Sequence, residues 1–173
     1  MTDLALIWTA DAMSADLALQ GGQLVTDDGM RTAILISLFS DARAAEDAEL
    51  PEDGADRRGW WGDTLAENAG PLAGTARDRN RIGSQLWLLA RAKVTAAVVS
   101  RARQYCEEAL EWIVRDGIAS AVRVSVEARP SASRSALLAI SVEIDRPAGP
   151  SRQRHDFTWD ASTGDLTIDG DPA

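Results

Sequence analysis

Between residues 56 and 63 the chain reads Asp56-Arg57-Arg58-Gly59-Trp60-Trp61-Gly62-Asp63. Two adjacent tryptophans bracketed by glycines, then by arginines and aspartates, fit neither a helix face nor an alternating strand. The composition therefore predicts a loop pinned by its aromatics. A packed Trp buries on the order of 200 Å², and its indole N–H needs a partner, so a Trp pair in a turn serves to lock a backbone or to dock a neighbour. Gly59 and Gly62 permit a positive φ or a close backbone approach on either side. Two readings stand at this point. The rings plug the edge of the chain's own core, or one packs inward while the other faces a partner, as interface anchors do.

The length of 173 residues suffices for one domain with a real core. A net charge of −9 argues against a general binder of nucleic acid or anionic membrane, because phosphate binding needs a basic surface. Cys106 is the sole cysteine and His155 the sole histidine, which leaves no internal disulfide, no multi-cysteine metal site and little scope for a histidine triad. No cofactor site is expected. Neither a signal peptide nor an apolar run of about 20 residues is visible, so synthesis and folding in the cytosol are expected. Lys93 is the only lysine beside many arginines. Genome composition accounts for that bias; use of planar guanidinium at interfaces is the functional alternative.

In chain order, Leu4 to Trp8 suits a strand, and Gly21-Gly22 between two apolar pieces predicts a tight hairpin. Asp27 or Asp28 is placed to cap a helix from about Gly29 to Ser40. Met30, Ala33, Ile34, Leu38 and Phe39 form its buried face, broadened by Leu35 and Ile36. From Asp41 to Asp56 the chain carries seven acidic residues against Arg43, with Pro51 and Gly54 as breakers, and reads as a solvated loop. The middle is basic, from Arg77 through Arg103 with only Asp78 opposing, so the acidic and basic segments have the charge to meet each other or a neighbouring chain. Leu86, Trp87, Leu88 and Leu89 form a buried helical turn that Ser84 can cap. Thr95 starts the longest helix and Gly117 closes it in the left-handed conformation. Val98, Ala102, Tyr105, Cys106, Ala109, Trp112 and Ile113 make its apolar stripe, where Cys106 is a core thiol without a catalytic helper.

Beyond Gly117 the texture changes to alternation. Val122, Val124 and Val126 face away from Arg123, Ser125 and Glu127, and Leu138, Ile140, Val142 and Ile144 repeat the pattern after a turn near Pro130 to Ser135. Pro147 to Pro150 breaks the sheet, and Phe157 to Trp159 with Leu166 to Ile168 reads as a terminal hairpin with His155 on its surface. The fold class is α+β: a mostly antiparallel sheet packed on a long amphipathic helix, preceded by an N-terminal hairpin and helix. Residues 1–146 form the domain, with the acidic loop at about 41–56, and 147–173 form a C-terminal hairpin arm.

Three blocks carry a resemblance: Asp27-Asp28-Gly29-Met30-Arg31-Thr32-Ala33-Ile34-Leu35-Ile36-Ser37-Leu38-Phe39-Ser40-Asp41, then Arg57-Arg58-Gly59-Trp60-Trp61-Gly62-Asp63, then Gly83-Ser84-Gln85-Leu86-Trp87-Leu88-Leu89. In that order they resemble the small baseplate wedge protein family of Mu-like contractile phages, and the Arg-Arg-Gly-Trp-Trp-Gly-Asp block is the specific one. The resemblance implies a structural, non-enzymatic subunit of the virion tail baseplate, without cofactor, related in role to the small sheath-initiating wedge protein of larger phages. It implies larger wedge proteins and the first sheath subunit as partners, and sheath initiation by strand exchange. An edge strand near residues 155–168 offers unpaired backbone groups for that purpose. Partner contacts are expected at Arg57, Arg58, Trp60, Trp61, Trp87, Phe157 and Trp159.

Two readings of other classes stand beside this one. A tail-associated peptidoglycan glycosidase needs only an acid and a second carboxylate at a set separation, with Glu107, Glu108 and Glu111 as the residues to test. Against it, no carboxylate sits alone in an apolar setting that would raise its pKa. A cytosolic adaptor with an acidic recruiting loop is the third reading.

Overall fold

The computed structural model describes residues 3–9, 14–27, 30–52, 54–60, 82–130, 136–147, 152–164 and 166–169. Its first part is built from very short strands: β1 (Asp3–Leu4), β2 (Leu6–Thr9), β3 (Ser14–Leu17), β4 (Leu19–Gln20), β5 (Gln23–Leu24) and β6 (Thr26–Asp27). The expected hairpin at Gly21-Gly22 is present as β4–β5, with φ of 59° and 79° at the two glycines. That hairpin is one arm of three. β2 pairs with β3, and β1 pairs with β6. At their meeting point Ala5 N–H donates to the Val25 carbonyl, Val25 N–H to Ala18, and Ala18 N–H to Ala5, each at 2.9 Å. The closed ring satisfies the backbone groups that three diverging ladders would otherwise orphan at their junction.

Helix α1 (Arg31–Phe39) follows. Its N-cap position is not Asp27. Asp27 is drawn into β6 opposite Asp3, Asp28 lies outside the described residues, and the N-cap position is Met30 in the left-handed conformation without a side-chain cap. Thr32 Oγ1 instead donates to the Leu4 carbonyl at 3.1 Å and ties the helix to the three-armed module. Ile34 and Leu38 are buried as expected, whereas Ile36 is exposed, so the apolar arc is narrower than its composition implies.

The long helix α2 (Ala96–Arg115) begins and ends as predicted. Thr95 Oγ1 accepts from the Val98 N–H at 3.4 Å, and Gly117 closes the far end at φ 71°. Ala102, Cys106, Leu110 and Ile113 form its buried face, and Trp112 Nε1 donates to Ser37 Oγ at 3.1 Å to join the two helices.

Strands β7 (Ala121–Pro130), β8 (Ala136–Asp145), β9 (Gln153–Trp159) and β10 (Leu166–Asp169) form an antiparallel sheet in the order β10-β9-β8-β7. Leu138, Ile140, Val142 and Ile144 are all at most 1 % exposed. Because β9 pairs with β8 from Gln153 to Trp159, the same alternation turns Phe157 and Trp159 into this core. It also places His155 on the inner side, opposite Val142 and partly buried, so this residue is not the surface histidine expected from the polar texture around it. Phe39 meets Phe157 edge to face at 5.6 Å, and Arg91 N–H donates to the Ala161 carbonyl, so the inner face of β8 and β9 is covered by α1 and the segment before α2. The architecture is α+β, with helices on one face and an outer face carrying Arg123, Ser125, Glu127 and Arg154.

One ionic clamp locks the sheet's end. Asp145 accepts from Arg123 Nη1 at 2.6 Å and Arg152 Nε at 3.1 Å, while its carbonyl accepts from Ser120. The hydrogen bonds from Arg123 and then Arg152 hold its carboxyl below the usual carboxylate range. The stabilisation is therefore present above the ordinary carboxylate pKa and lost as pH falls through the lowered value. Urea titrations as a function of pH are expected to show a smaller loss of stability below about pH 5 for Asp145→Asn than for the native chain. In the core, Phe157→Ala is expected to cost about 3–5 kcal/mol at neutral pH by the same method, because the ring leaves a cavity under β8 and α1.

Candidate functional site

The arginine-tryptophan loop is mounted where α1 leaves the core. Ser84 N–H donates to the Ser40 carbonyl and Ala42 N–H to the Ser84 carbonyl, each at 2.9 Å, so the chain before the Leu86–Leu89 3-10 turn runs beside the exit of α1. Ser84 Oγ donates to the Leu38 carbonyl at 2.5 Å and accepts from the Leu86 N–H at 3.1 Å, while the N-cap position itself is Gln85 without a side-chain cap. The crossing is close enough that a Cβ on Gly83 would lie 2.4 Å from the Ser40 oxygen, at a φ of 99° that side chains rarely adopt.

Trp87 is buried in this crossing and donates its indole N–H to the Ala42 carbonyl at 2.8 Å. The Arg58 guanidinium lies 4.6 Å from the centre of the Trp87 ring and bonds Asp41 Oδ2 at 2.8 Å. Such a stacked, partly exposed cation is worth about 0.5–1 kcal/mol. Arg58 itself holds a φ of 50°, and its N–H is taken by the Asp56 carboxylate at 2.8 Å. Arg57 turns the other way and donates to the carbonyls of Ala45, Glu46 and Ala48, while its own carbonyl accepts from Ala44 N–H.

These contacts revise the reading of the acidic loop. Its backbone bends around one guanidinium, and Glu52 pairs with Arg91 at 3.2 Å, so part of the acidic–basic complementarity is spent within the chain. Residues Asp41, Ala45 and Glu46 are parts of the site that sequence reasoning missed. The signal was the arginine pair beside the acidic run, but carbonyl acceptors have no residue-type signature.

Of the expected contact residues, the structure brings Arg57, Arg58 and Trp87 together and leaves Trp60 at 37 % exposure beside them; Trp61 lies outside the described residues. Phe157 and Trp159 are elsewhere, with rings in the sheet core. Glu107, Glu108 and Glu111 point outward from α2, with Glu107 paired to Arg103 at 3.0 Å and Glu108 to Gln104 at 2.9 Å. Burial, and then the charge of Glu107, push the Cys106 thiol up to about 12, a chemically inert state. Among the described residues no cluster of His, Cys, Asp and Glu could hold a metal ion, and no described helix is long and apolar enough to cross a membrane.

A second type of surface is the three-armed module, where Ile7, Leu17, Leu19 and Leu24 are exposed, Leu19 to 67 %. Exposed apolar side chains on a small module, and a hydrogen-bonded loop that displays a tryptophan, are features common at contact surfaces. Comparison with known proteins gives the family. The family model for phage protein GP46 matches residues 30–151. Baseplate protein gp46 of Escherichia phage Mu is 47 % identical over 127 residues, covering 73 % of this chain and 78 % of the Mu protein. The Mu-like prophage FluMu protein gp46 of Haemophilus influenzae is 34 % identical over 154 residues, covering 89 % of this chain and 94 % of that protein. No solved structure matches. The chain belongs to this Mu-like gp46 baseplate family.

The clamp around Arg57 is open to direct test. Arg57→Ala is expected to lose about 2 kcal/mol of stability, with faster amide exchange at residues 44–48 and new cleavage at Glu46 or Glu49 by a glutamate-specific protease. Arg57→Lys is expected to recover little of this, because a lysine cannot span several carbonyls with a planar fork. Unchanged exchange in Arg57→Ala would show that the loop is held by something else.

Proposed function

We propose that this chain is a structural subunit of a contractile-tail baseplate wedge, docking larger wedge proteins and helping to initiate the sheath by strand pairing. The observation that carries the proposal is the position of β10: the last strand of the sheet, bonded among the described residues to β9 alone and fixed at its start by the buried Leu166. A short edge held on a rigid sheet presents a row of backbone donors and acceptors to an extended segment of the next subunit. Phe157 and Trp159 contribute by holding β9, and hence the edge, against the helices. Their role in partner binding is thus positional, and the contact itself is made by backbone.

The Arg57–Trp60 loop is the second contact in this reading. Arg58 on Trp87 and Arg57 on the acidic loop fix the backbone, so Trp60 meets a larger wedge protein as an anchor whose ordering cost is already met within the subunit. Trp61 is assigned to the same contact on residue type. The proposed location is the virion tail baseplate, after synthesis in the host cytoplasm; the name of the Mu relative supports the baseplate part of this assignment.

Proline substitution separates the edge from the fold. In an antiparallel ladder successive residues turn their N–H groups alternately toward and away from the neighbour, so of Thr167→Pro and Ile168→Pro one breaks the β9 pairing and the other removes an outward donor. The variant with native-like melting is expected to give baseplates that fail to nucleate sheath, seen by electron microscopy of particles. Trp60→Ala is expected to retain its melting temperature and to co-purify with less of the larger baseplate proteins. Normal sheathed tails from the folded proline variant would remove β10 from the mechanism.

A further inference from the structure

The sheet has a second open edge, and it is the longer one. β7 spans Ala121–Pro130 and, among the described residues, is paired on one side only, with β8. Val124 and Val126 face the core and Val122 is half-buried, while Arg123, Ser125, Glu127 and Arg129 are exposed on the outer side. We infer that this edge pairs antiparallel with β7 of a second copy of this chain, about a two-fold axis at Ser125, joining two four-stranded sheets into one.

The sequence of the strand selects both occupant and register. With Ser125 opposite Ser125 of the second copy, Arg123 faces Glu127 twice by symmetry, Val124 faces Val126 twice, and Val122 faces Ala128. Opposite charges and β-branched pairs directly across strands are favourable, and like charges are not. A shift of the dyad to Val126 sets Arg123 against Arg129, and a shift to Val124 sets Arg123 against serine and Glu127 against alanine. A register offset by one residue turns the valines of one copy to the charged face of the other. Pro130, which has no N–H, faces Ser120 just beyond the strand, so it ends the new ladder without interrupting it. Arg123 already holds Asp145 through Nη1. A guanidinium has five N–H donors in a fork, so it can serve Asp145 and a glutamate across the seam together.

This inference does not rest on the baseplate assignment, since it concerns the isolated protein and the opposite edge of the sheet from β10. It is tested with Ser125→Cys. Residues facing each other across an antiparallel pair have Cα atoms about 4.5–5.5 Å apart, inside the range a disulfide bridges. The one native thiol, Cys106, is buried and does not compete. Under mild oxidation of the purified full chain, Ser125→Cys is expected to form a disulfide-linked dimer on non-reducing gels, and the native chain to show a concentration-dependent dimer by light scattering. Thr167→Cys, on the β10 edge, is the collision control and is expected to stay monomeric.

Adding Arg123→Glu or Glu127→Arg to Ser125→Cys turns two attractive pairs repulsive and is expected to slow cross-linking about tenfold. The Arg123→Glu/Glu127→Arg double exchange on the same background is expected to restore it, a rescue that general loss of stability would not give. A native chain that stays monomeric at all concentrations, with Ser125→Cys cross-linking no faster than Thr167→Cys, would overturn the inference.

Discussion

A buried indole must find an acceptor for its N–H, and the acceptor that Trp87 finds, the Ala42 carbonyl at 2.8 Å, lies on a segment 45 residues earlier in the chain. This bond fixes the distance between the exit of α1 and the Leu86–Leu89 turn. The paired strands of chain at Ser40, Ala42 and Ser84 and the close approach at Gly83 all depend on it. The outer face of the same buried ring carries the Arg58 guanidinium at 4.6 Å, two residues before Trp60. One ring thus transmits the order of the core to the only strongly marked loop in the sequence.

The parts of this fold that sequence reasoning reads well are those where a single period persists. α2 repeats at three- and four-residue spacing for 20 residues, and β7 and β8 alternate for ten each, so caps, faces and even the buried row of β8 are legible. The three-armed module is legible only as one hairpin. Its ladders are two to four pairs long, and the ring of bonds at Ala5, Ala18 and Val25 is made by backbone that any residue supplies. The start of α1 failed for a related reason: Asp27 has the right chemistry for a cap, but pairing with Asp3 commits its backbone to a strand. His155 was misread because polar neighbours suggested a surface, while the register with β8 dictates its side.

At the candidate site, residue type identified the loop but not its direction. Arg57 and Arg58 look like surface contacts in sequence; in the fold their guanidinium groups organise the subunit itself, one around carbonyls of the acidic loop and one between Asp41 and Trp87. Both tasks need a planar, multi-donor cation. The near absence of lysine is therefore more than genome composition at these two positions, since an ammonium would satisfy fewer acceptors and stack less well.

The same economy bears on how a subunit of this kind works. Among the described residues its sheet is covered by helices on one face and paired beyond neither edge strand, which leaves two rows of backbone groups without a strand neighbour there. Edge strands are a liability in a chain that acts alone, and this chain leaves one of ten residues and one of four. The long edge alternates charge in a pattern that is complementary to itself, whereas the short edge is polar and uncharged at Thr167. A self-complementary edge favours a closed pair, and an edge without that symmetry accepts a different strand and allows a chain of contacts to continue. In the proposed assembly the two edges of one sheet take different partners, the longer one through Arg123, Ser125 and Glu127, outward residues that the core does not require.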